Sequence, residues 1–250
     1  MKKLMSILIL CSFSFSAYSQ SDKMIFAFGG EVTEAFVKYT IKLTNKENPK
    51  ICFLPTALAD SPYYINYWYE ITADLKMIPR VIRTWNVSNR QDKSFEELFL
   101  DMDAIIIGGG NVVNMLSIWK GQEIDKALRK AYDNGIVLAG GSAGSLCWFN
   151  RGITDSRPKE LSIVEGLGFL DYSNNVHHDS GNGERKTLYH NYILSQKLNN
   201  GYASDERSGI VFKNGKAQAS VSMNANSFSY HVYEKNGIIV EDKLDTEIIN

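Results

Sequence analysis

Cysteine is scarce, with three in 250 residues, at positions 11, 52 and 147. So few excludes a disulfide-stapled scaffold, and none lies near a histidine at the spacing of a structural zinc site. Cys52 lies in an apolar run and Cys147 beside Trp148, so both read as buried packing residues. Proline is low as well, at five residues. No Pro-rich or Gly/Ser-rich stretch marks a linker, and neither an internal repeat nor a low-complexity tract is present. Basic blocks are missing too. The net charge of −1 and the absence of a Lys/Arg stripe leave nothing to recommend a nucleic-acid partner.

Long apolar runs are confined to the N-terminus. Lys2 and Lys3 precede a mostly apolar stretch from Leu4 to Phe15, too short to span a bilayer as a stable helix. Ala17-Tyr18-Ser19 then places small residues where a signal peptidase reads, so residues 1–19 read as a secretory signal cleaved after Ser19. A lipid anchor at Cys11 is disfavoured, because the large Leu10 stands where a small residue is wanted. Cleavage removes two of the 27 basic residues and none of the 28 acidic ones, for a net charge of −3. The expected product is a soluble, secreted or periplasmic chain over residues 20–250, with no membrane association once the signal is gone.

What is present suits an ordinary globular protein. Hydrophobic residues make up 44% and charged residues 22%, enough to build one sizeable core. Short apolar runs alternate with helical periodicity. Strands are expected at 24–30, 50–57, 80–85, 104–108 and 136–140. Helices are expected at 32–45, 63–76, 94–101, from 112 onward, and at 122–133. Continuous apolar strands separated by helices indicate a parallel sheet covered on both faces, the doubly wound α/β architecture. Ligands of such sheets bind beyond the carboxyl ends of the strands, where glycines 29–30, 108–110 and 140–141 gather. After an expected helix at 184–198 the pattern changes. Asn214-Gly215 and Asn236-Gly237 each sit between β segments, the strong signal for two-residue hairpins, so antiparallel strands are added near the C-terminus.

Gly140-Gly141-Ser142-Ala143-Gly144 follows the strand at 136–140 and opens a helical stretch through Trp148. G-x-S-x-G at a strand-to-helix turn is a nucleophile elbow: the turn lifts the serine hydroxyl to the sheet edge at a helix N-terminus. There the Ala143 amide faces a developing oxyanion, assisted by the positive end of the helix. Gly108-Gly109-Gly110-Asn111, also after a buried strand, lets backbone amides approach a substrate and supply the rest of an oxyanion hole.

A serine nucleophile needs a base. His190 falls inside the expected helix 184–198 and His231 in a β segment, both suited to packing or surface roles. His177 and His178 lie in the polar loop Asn174 to Asp179, the better location for a catalytic imidazole. Asp205 and Glu206 follow a short strand-like run and are the candidate orienting acids.

These pieces together resemble the peptidase E family of aspartyl dipeptidases and the related cyanophycinases. Four signatures carry the resemblance: Phe-Leu-Pro-Thr-Ala at 53–57, Gly-Gly-Gly-Asn at 108–111, Gly-Ser-Ala-Gly at 141–144, and the histidine loop followed by Asp205-Glu206. The likeness spans roughly residues 24–212. It implies a class I glutamine amidotransferase-like fold, with serine in place of that fold's cysteine. By the same resemblance Ser142 is the nucleophile, His177 the base and Glu206 the acid. Gly109, Gly110 and Ala143 are the oxyanion donors, Asn111 is a substrate-binding residue, and Arg185 pairs with a substrate carboxylate. His178 stands where relatives often carry an aromatic residue. The loop Val-His-His-Asp-Ser-Gly-Asn departs from the dipeptidase pattern, so the resemblance does not by itself carry strict aspartyl specificity to this chain.

The expected activity is hydrolysis of small peptides through an acyl-enzyme, with no metal or cofactor; a homodimer is compatible with it. Two other readings remain. One is an α/β-hydrolase-like esterase pairing Asp205 or Glu206 with His231, although only about a hundred residues follow Ser142. The other is a binding domain of the same fold without catalysis. Cys147 falls a helical turn past the elbow, unsuited to act as an amidotransferase nucleophile.

Overall fold

The computed structural model describes residues 22–85 and 91–249; the expected signal segment, residues 1–19, lies outside them. The first half alternates strand and helix: β1 (Met24–Phe28), α1 (Glu34–Thr44), β2 (Lys50–Leu54), α2 (Pro62–Thr72), β3 (Ile78–Val81), α3 (Phe95–Leu100), β4 (Ala104–Ile107), α4 (Val112–Gly121), α5 (Ile124–Asp133) and β5 (Val137–Gly141). A short helix α6 (Ala143–Leu146) follows, then β6 (Phe149–Thr154), β7 (Ser162–Glu165), β8 (Leu170–Asn175) and α7 (Glu184–Leu194). The chain ends with β9 (Gly201–Ser204), β10 (Ser208–Lys213), β11 (Lys216–Ser222), β12 (Ser229–Lys235), β13 (Ile238–Lys243) and β14 (Thr246–Ile248).

Local chemistry sets several boundaries. The Thr33 hydroxyl caps α1 by accepting from the Phe36 amide, and Asn45 closes it in the left-handed conformation. Ser94 and Glu97 form a reciprocal capping box on α3. Gly135, with φ +80°, turns the chain from α5 into β5.

The first sheet has the order β14-β11-β10-β1-β5-β4-β2-β3. Its five strands β1, β5, β4, β2 and β3 are parallel, and β10 joins β1 antiparallel. Successive side chains on a strand point to opposite faces, and the core divides accordingly. Ile51, Phe53, Ala104 and Ile106 pack with Phe36, Val37 and Trp68 of α1 and α2. Cys52, Leu54, Ile105 and Ile107 pack with Phe99, Met115, Trp119 and Leu128 of α3, α4 and α5. This is the expected doubly wound α/β sheet with helices on both faces.

A second sheet, order β13-β12-β9-β8-β6-β7, was not expected. The C-terminal antiparallel strands therefore divide: β10 and β11 extend the first sheet, whereas β12 and β13 extend the second. Phe149, Val164, Leu170 and Tyr202 of the second sheet share a core with Ile25, Ile210 and Phe212 of the first. α7 covers the second sheet through Tyr189 and Ile193, packed on Ile153, Ala203 and Val232.

The parallel register brings the carboxyl ends of the central strands to one edge. Phe28 lies opposite Gly141, and Ile107 opposite Gly140. The turns at 29–30, 108–110 and 141–142 thus leave the sheet side by side, at the crevice where doubly wound folds bind ligands.

Candidate active site

The turn after β5 is strained at a single residue. Ser142 has φ 51° and ψ −114°, outside the conformations a side chain ordinarily prefers. Its amide donates to the Phe28 carbonyl (3.3 Å), anchoring the elbow to β1. With the backbone held there, Ser142 Oγ stands at the N-terminus of α6 and approaches His177 Nε2 at 2.8 Å. On the far side of the ring, His177 Nδ1 meets Glu206 Oε1 at 2.6 Å.

The histidine is delivered by the loop after β8. His177 itself has φ 51°, the kind of backbone strain that gathers at functional sites. Its carbonyl accepts from the amide (3.1 Å) and hydroxyl (2.8 Å) of Ser180. The next residue's amide, of His178, donates to the Ser204 carbonyl at the end of β9. Asp179 Oδ1 accepts from the Glu206 amide at 2.9 Å. One loop therefore fixes both the imidazole and the backbone of the acid beside it.

Electrostatics favour one tautomer. The hydrogen bond from His177 holds the Glu206 carboxyl below its ordinary range, against the opposing effect of burial, with the Arg185 and Arg207 charges adding to the depression. An ionised Glu206 accepts a proton-bearing Nδ1, which leaves the Nε2 lone pair to accept the Ser142 hydroxyl.

The glycine loop closes the third side. A β-carbon on Gly109 would stand 3.2 Å from Ser142 Cβ and 3.7 Å from its Oγ, so a side chain here would crowd the nucleophile. The amides of Gly109, Gly110 and Ala143 have no hydrogen-bond partner among the described residues, whereas the flanking Gly108 and Asn111 amides bond to Leu54 and Ala57 carbonyls. Ala143 is the first residue of α6, where an amide has no acceptor within its own helix.

Two other expected residues are tied into the fold. Asn111 Oδ1 accepts from the Asn114 amide to cap α4, and its Nδ2 donates to the Ser156 carbonyl. It braces the glycine loop and has its side-chain groups engaged there. Arg185 is buried, donating to the Ile153 carbonyl (2.9 Å) and to Asp155 Oδ2 (2.9 Å). It reaches the triad residues through its charge, which lowers the Glu206 pKa, and its two named bonds hold α7 to the end of β6.

The remaining histidines and acids sort themselves. His231 stacks between Tyr202 and Tyr233 at centroid distances of 4.9 and 4.8 Å, the packing role expected of it. Asp205 Oδ2 accepts from the Phe228 amide at 2.7 Å and serves the second sheet. The alternative pairing of His231 with an acid at 205 or 206 finds no bond among the described residues. Cys147 is buried with its thiol on the Gly144 carbonyl, and burial pushes its pKa well up, which leaves it unsuited to nucleophilic attack. One cluster escaped sequence reasoning: His178, His190 and Glu241 meet beside the catalytic loop.

Comparison with known proteins finds peptidases. The family model of peptidase family S51 matches residues 25–220. An uncharacterised peptidase, YgaJ, of Bacillus subtilis (strain 168) is 36% identical over 212 residues, covering 85% of this chain and 90% of the relative. A peptidase from an acI-B1 actinobacterium has a similar fold, with a TM-score of 0.69 at 16% identity over 92% of this chain and 97% of that one. So does a protein of Listeria monocytogenes EGD-e assigned provisionally to peptidase E, with a TM-score of 0.61 at 15% identity over 82% of this chain and all of that one.

Proposed function

The chain belongs to peptidase family S51 and is a peptidase, and we propose that it hydrolyses small peptides through a Ser142–His177–Glu206 triad and an acyl-enzyme. The observation that carries this reading is the pair of contacts on one imidazole: Ser142 Oγ at Nε2 (2.8 Å) and Glu206 Oε1 at Nδ1 (2.6 Å). The hydroxyl attacks the scissile carbonyl as Nε2 takes its proton. Glu206 stabilises the resulting imidazolium and keeps the ring oriented. The carbonyl oxygen, now an oxyanion, is held by the amides of Gly109, Gly110 and Ala143; one such donor is worth on the order of 3 kcal/mol of barrier. His177 then returns its proton to the leaving amine, and a water activated by the same ring releases the acid product. The acid–base work falls to this chain's own side chains.

Small peptides are the proposed substrates because the family resemblance is to dipeptidases. The His177-His178 loop departs from that pattern, and Arg185 is held by Asp155 and the Ile153 carbonyl, so preference for an aspartyl residue is the property to measure, with a dipeptide panel that includes aspartyl dipeptides. A fluorophosphonate probe tests the nucleophile. Labelling of Ser142 in the folded protein, lost in Ser142→Ala and strongly slowed in His177→Ala, is expected. A folded protein that resists the probe, or a Ser142→Ala variant that still hydrolyses peptides, defeats the reading.

A further inference from the structure

We propose that His178, His190 and Glu241 form a binding site for a divalent cation of the zinc class, separate from the triad and set on the loop that carries His177. The three ligand atoms all lie within 4.8 Å of one another. His178 Nε2 is 3.2 Å and His190 Nε2 2.8 Å from Glu241 Oε2. Metal–ligand bonds of about 2.0–2.1 Å in tetrahedral geometry put ligand atoms about 3.4 Å apart. The constellation is thus a small adjustment away from embracing an ion. Two imidazoles and one carboxylate select zinc-like metals over calcium or magnesium, which want oxygen ligands. Three protein ligands leave a fourth position for water.

A second observation points the same way. His178 Nδ1 stands 2.7 Å from Asn175 Nδ2, and Asn175 Oδ1 is buried with no hydrogen-bond partner. The oxygen and nitrogen of an asparagine amide are interchangeable by a half-turn. A half-turn of that amide would set Oδ1 to accept a proton on Nδ1 and free the His178 Nε2 lone pair for a metal ion. Fixing a histidine by its other nitrogen is the usual support of a metal ligand. Asn175 is fully buried and His178 nearly so, so packing fixes where the ring stands.

The site also holds positive charge already. Lys186 Nζ pairs with Glu241 Oε1, leaving Oε2 to the two imidazoles. A carboxylate flanked by two imidazoles, one a helical turn from a lysine on α7, suits a dication whose binding displaces that lysine's share of the pairing.

The ligands come from three separate elements: the loop after β8, helix α7 and strand β13. Joining them pins residue 178, and therefore its neighbour 177, to the second sheet. The site stands whether or not Ser142 is a working nucleophile.

The test is calorimetric titration of untagged, chelator-stripped full-length protein with zinc chloride, with hydrogen exchange as a second readout. One zinc per chain is expected, along with slower exchange across 176–180. His178 is too buried to be the first variant, so His190→Ala and Glu241→Gln are used, each with its fold checked by circular dichroism. Each should weaken zinc binding by about 100-fold or more, whereas His177→Ala and Ser142→Ala should leave it unchanged. Absence of binding, binding that survives in both His190→Ala and Glu241→Gln, or binding lost with His177 instead would overturn the proposal.

Discussion

Gly30 and Glu206 meet so closely that a β-carbon on Gly30 would stand 2.4 Å from Glu206 Oε2 and 2.4 Å from the Glu206 carbonyl oxygen. The glycine at the end of β1 is therefore part of what lets the acid reach His177. Gly30→Ala should displace that carboxylate and lower kcat by about 100-fold or more, toward the loss seen when an orienting acid is removed. Steady-state kinetics on a cleaved dipeptide check this. Unchanged kcat in the folded variant would mean that Glu206 does not act through His177.

Glu206→Gln separates charge from shape. The amide fills the same space but cannot stabilise an imidazolium, and its NH2 favours the wrong tautomer of His177. A fall in kcat of up to about 10,000-fold, with KM little changed, is expected. The variant also bears on stability. The folded pKa of Glu206 is depressed, first by the hydrogen bond from His177. Its stabilising contribution is therefore present above the unfolded value of about 4.3 and is lost as pH falls through the folded one. The difference in Tm between wild type and Glu206→Gln should shrink below pH 4, as read by thermal scans from pH 3 to 7.

Gly109→Ala probes the other side of the nucleophile. The added methyl lies 3.2 Å from Ser142 Cβ, tighter than ordinary contact, while the backbone amide remains in place. The serine or the loop must yield by a few tenths of an ångström. Misplacement on that scale at an oxyanion site should cost about 100-fold in kcat and little in Tm. A fluorophosphonate labelling rate equal to that of wild type would contradict it.

Where the sequence was legible, a single local rule decided the outcome. Ser142 could be located because glycines on both sides of a serine, between an apolar strand and a helix, have few other uses. The Asn-Gly turns were legible for the same reason: Asn214 and Asn236 both adopt positive φ, as do the glycines after them. The strand expected at 80–85 instead occupies Ile78–Val81 and includes Pro79, which an edge strand tolerates and a central one does not. The second sheet was hidden because β6 (FNRGIT) and β8 (LDYSNN) lack both an apolar run and clean alternation. The expected helix 184–198 stops at Leu194, since Gln196 turns left-handed with φ 57°. The cluster of His178, His190 and Glu241 could not be read at all: its members are far apart in the chain and meet only through the unforeseen sheet.

Both described cysteines should be silent toward alkylation. Burial pushes the Cys52 thiol up to about 12 and Cys147 well above its ordinary value, and the thiolate is the reactive form. Iodoacetamide at pH 7.5 should neither modify the folded protein at these positions nor reduce its activity, as mass spectrometry and kinetics will report. Inactivation that tracks modification of Cys147 would revive a cysteine nucleophile.

Asp205 gives the opposite pH signature to its neighbour Glu206. Burial raises its pKa, and the hydrogen bond from the Phe228 amide only partly offsets this. With the folded pKa above the unfolded value of about 3.9, the favourable increment is fully present below that value and is lost as pH rises through the folded pKa. At neutral pH the ionised carboxylate is thus a burden on the fold that the two donors, Phe228 N–H and Tyr230 O–H, only partly relieve. Asp205→Asn keeps a carbonyl oxygen for those donors and removes the charge. Its Tm relative to wild type should therefore be more favourable at pH 7 than at pH 3.5. The reverse ordering would mean that the carboxylate is stabilised by contacts beyond these two, and that Asp205 rather than Glu206 has the claim to an ionised role at the site.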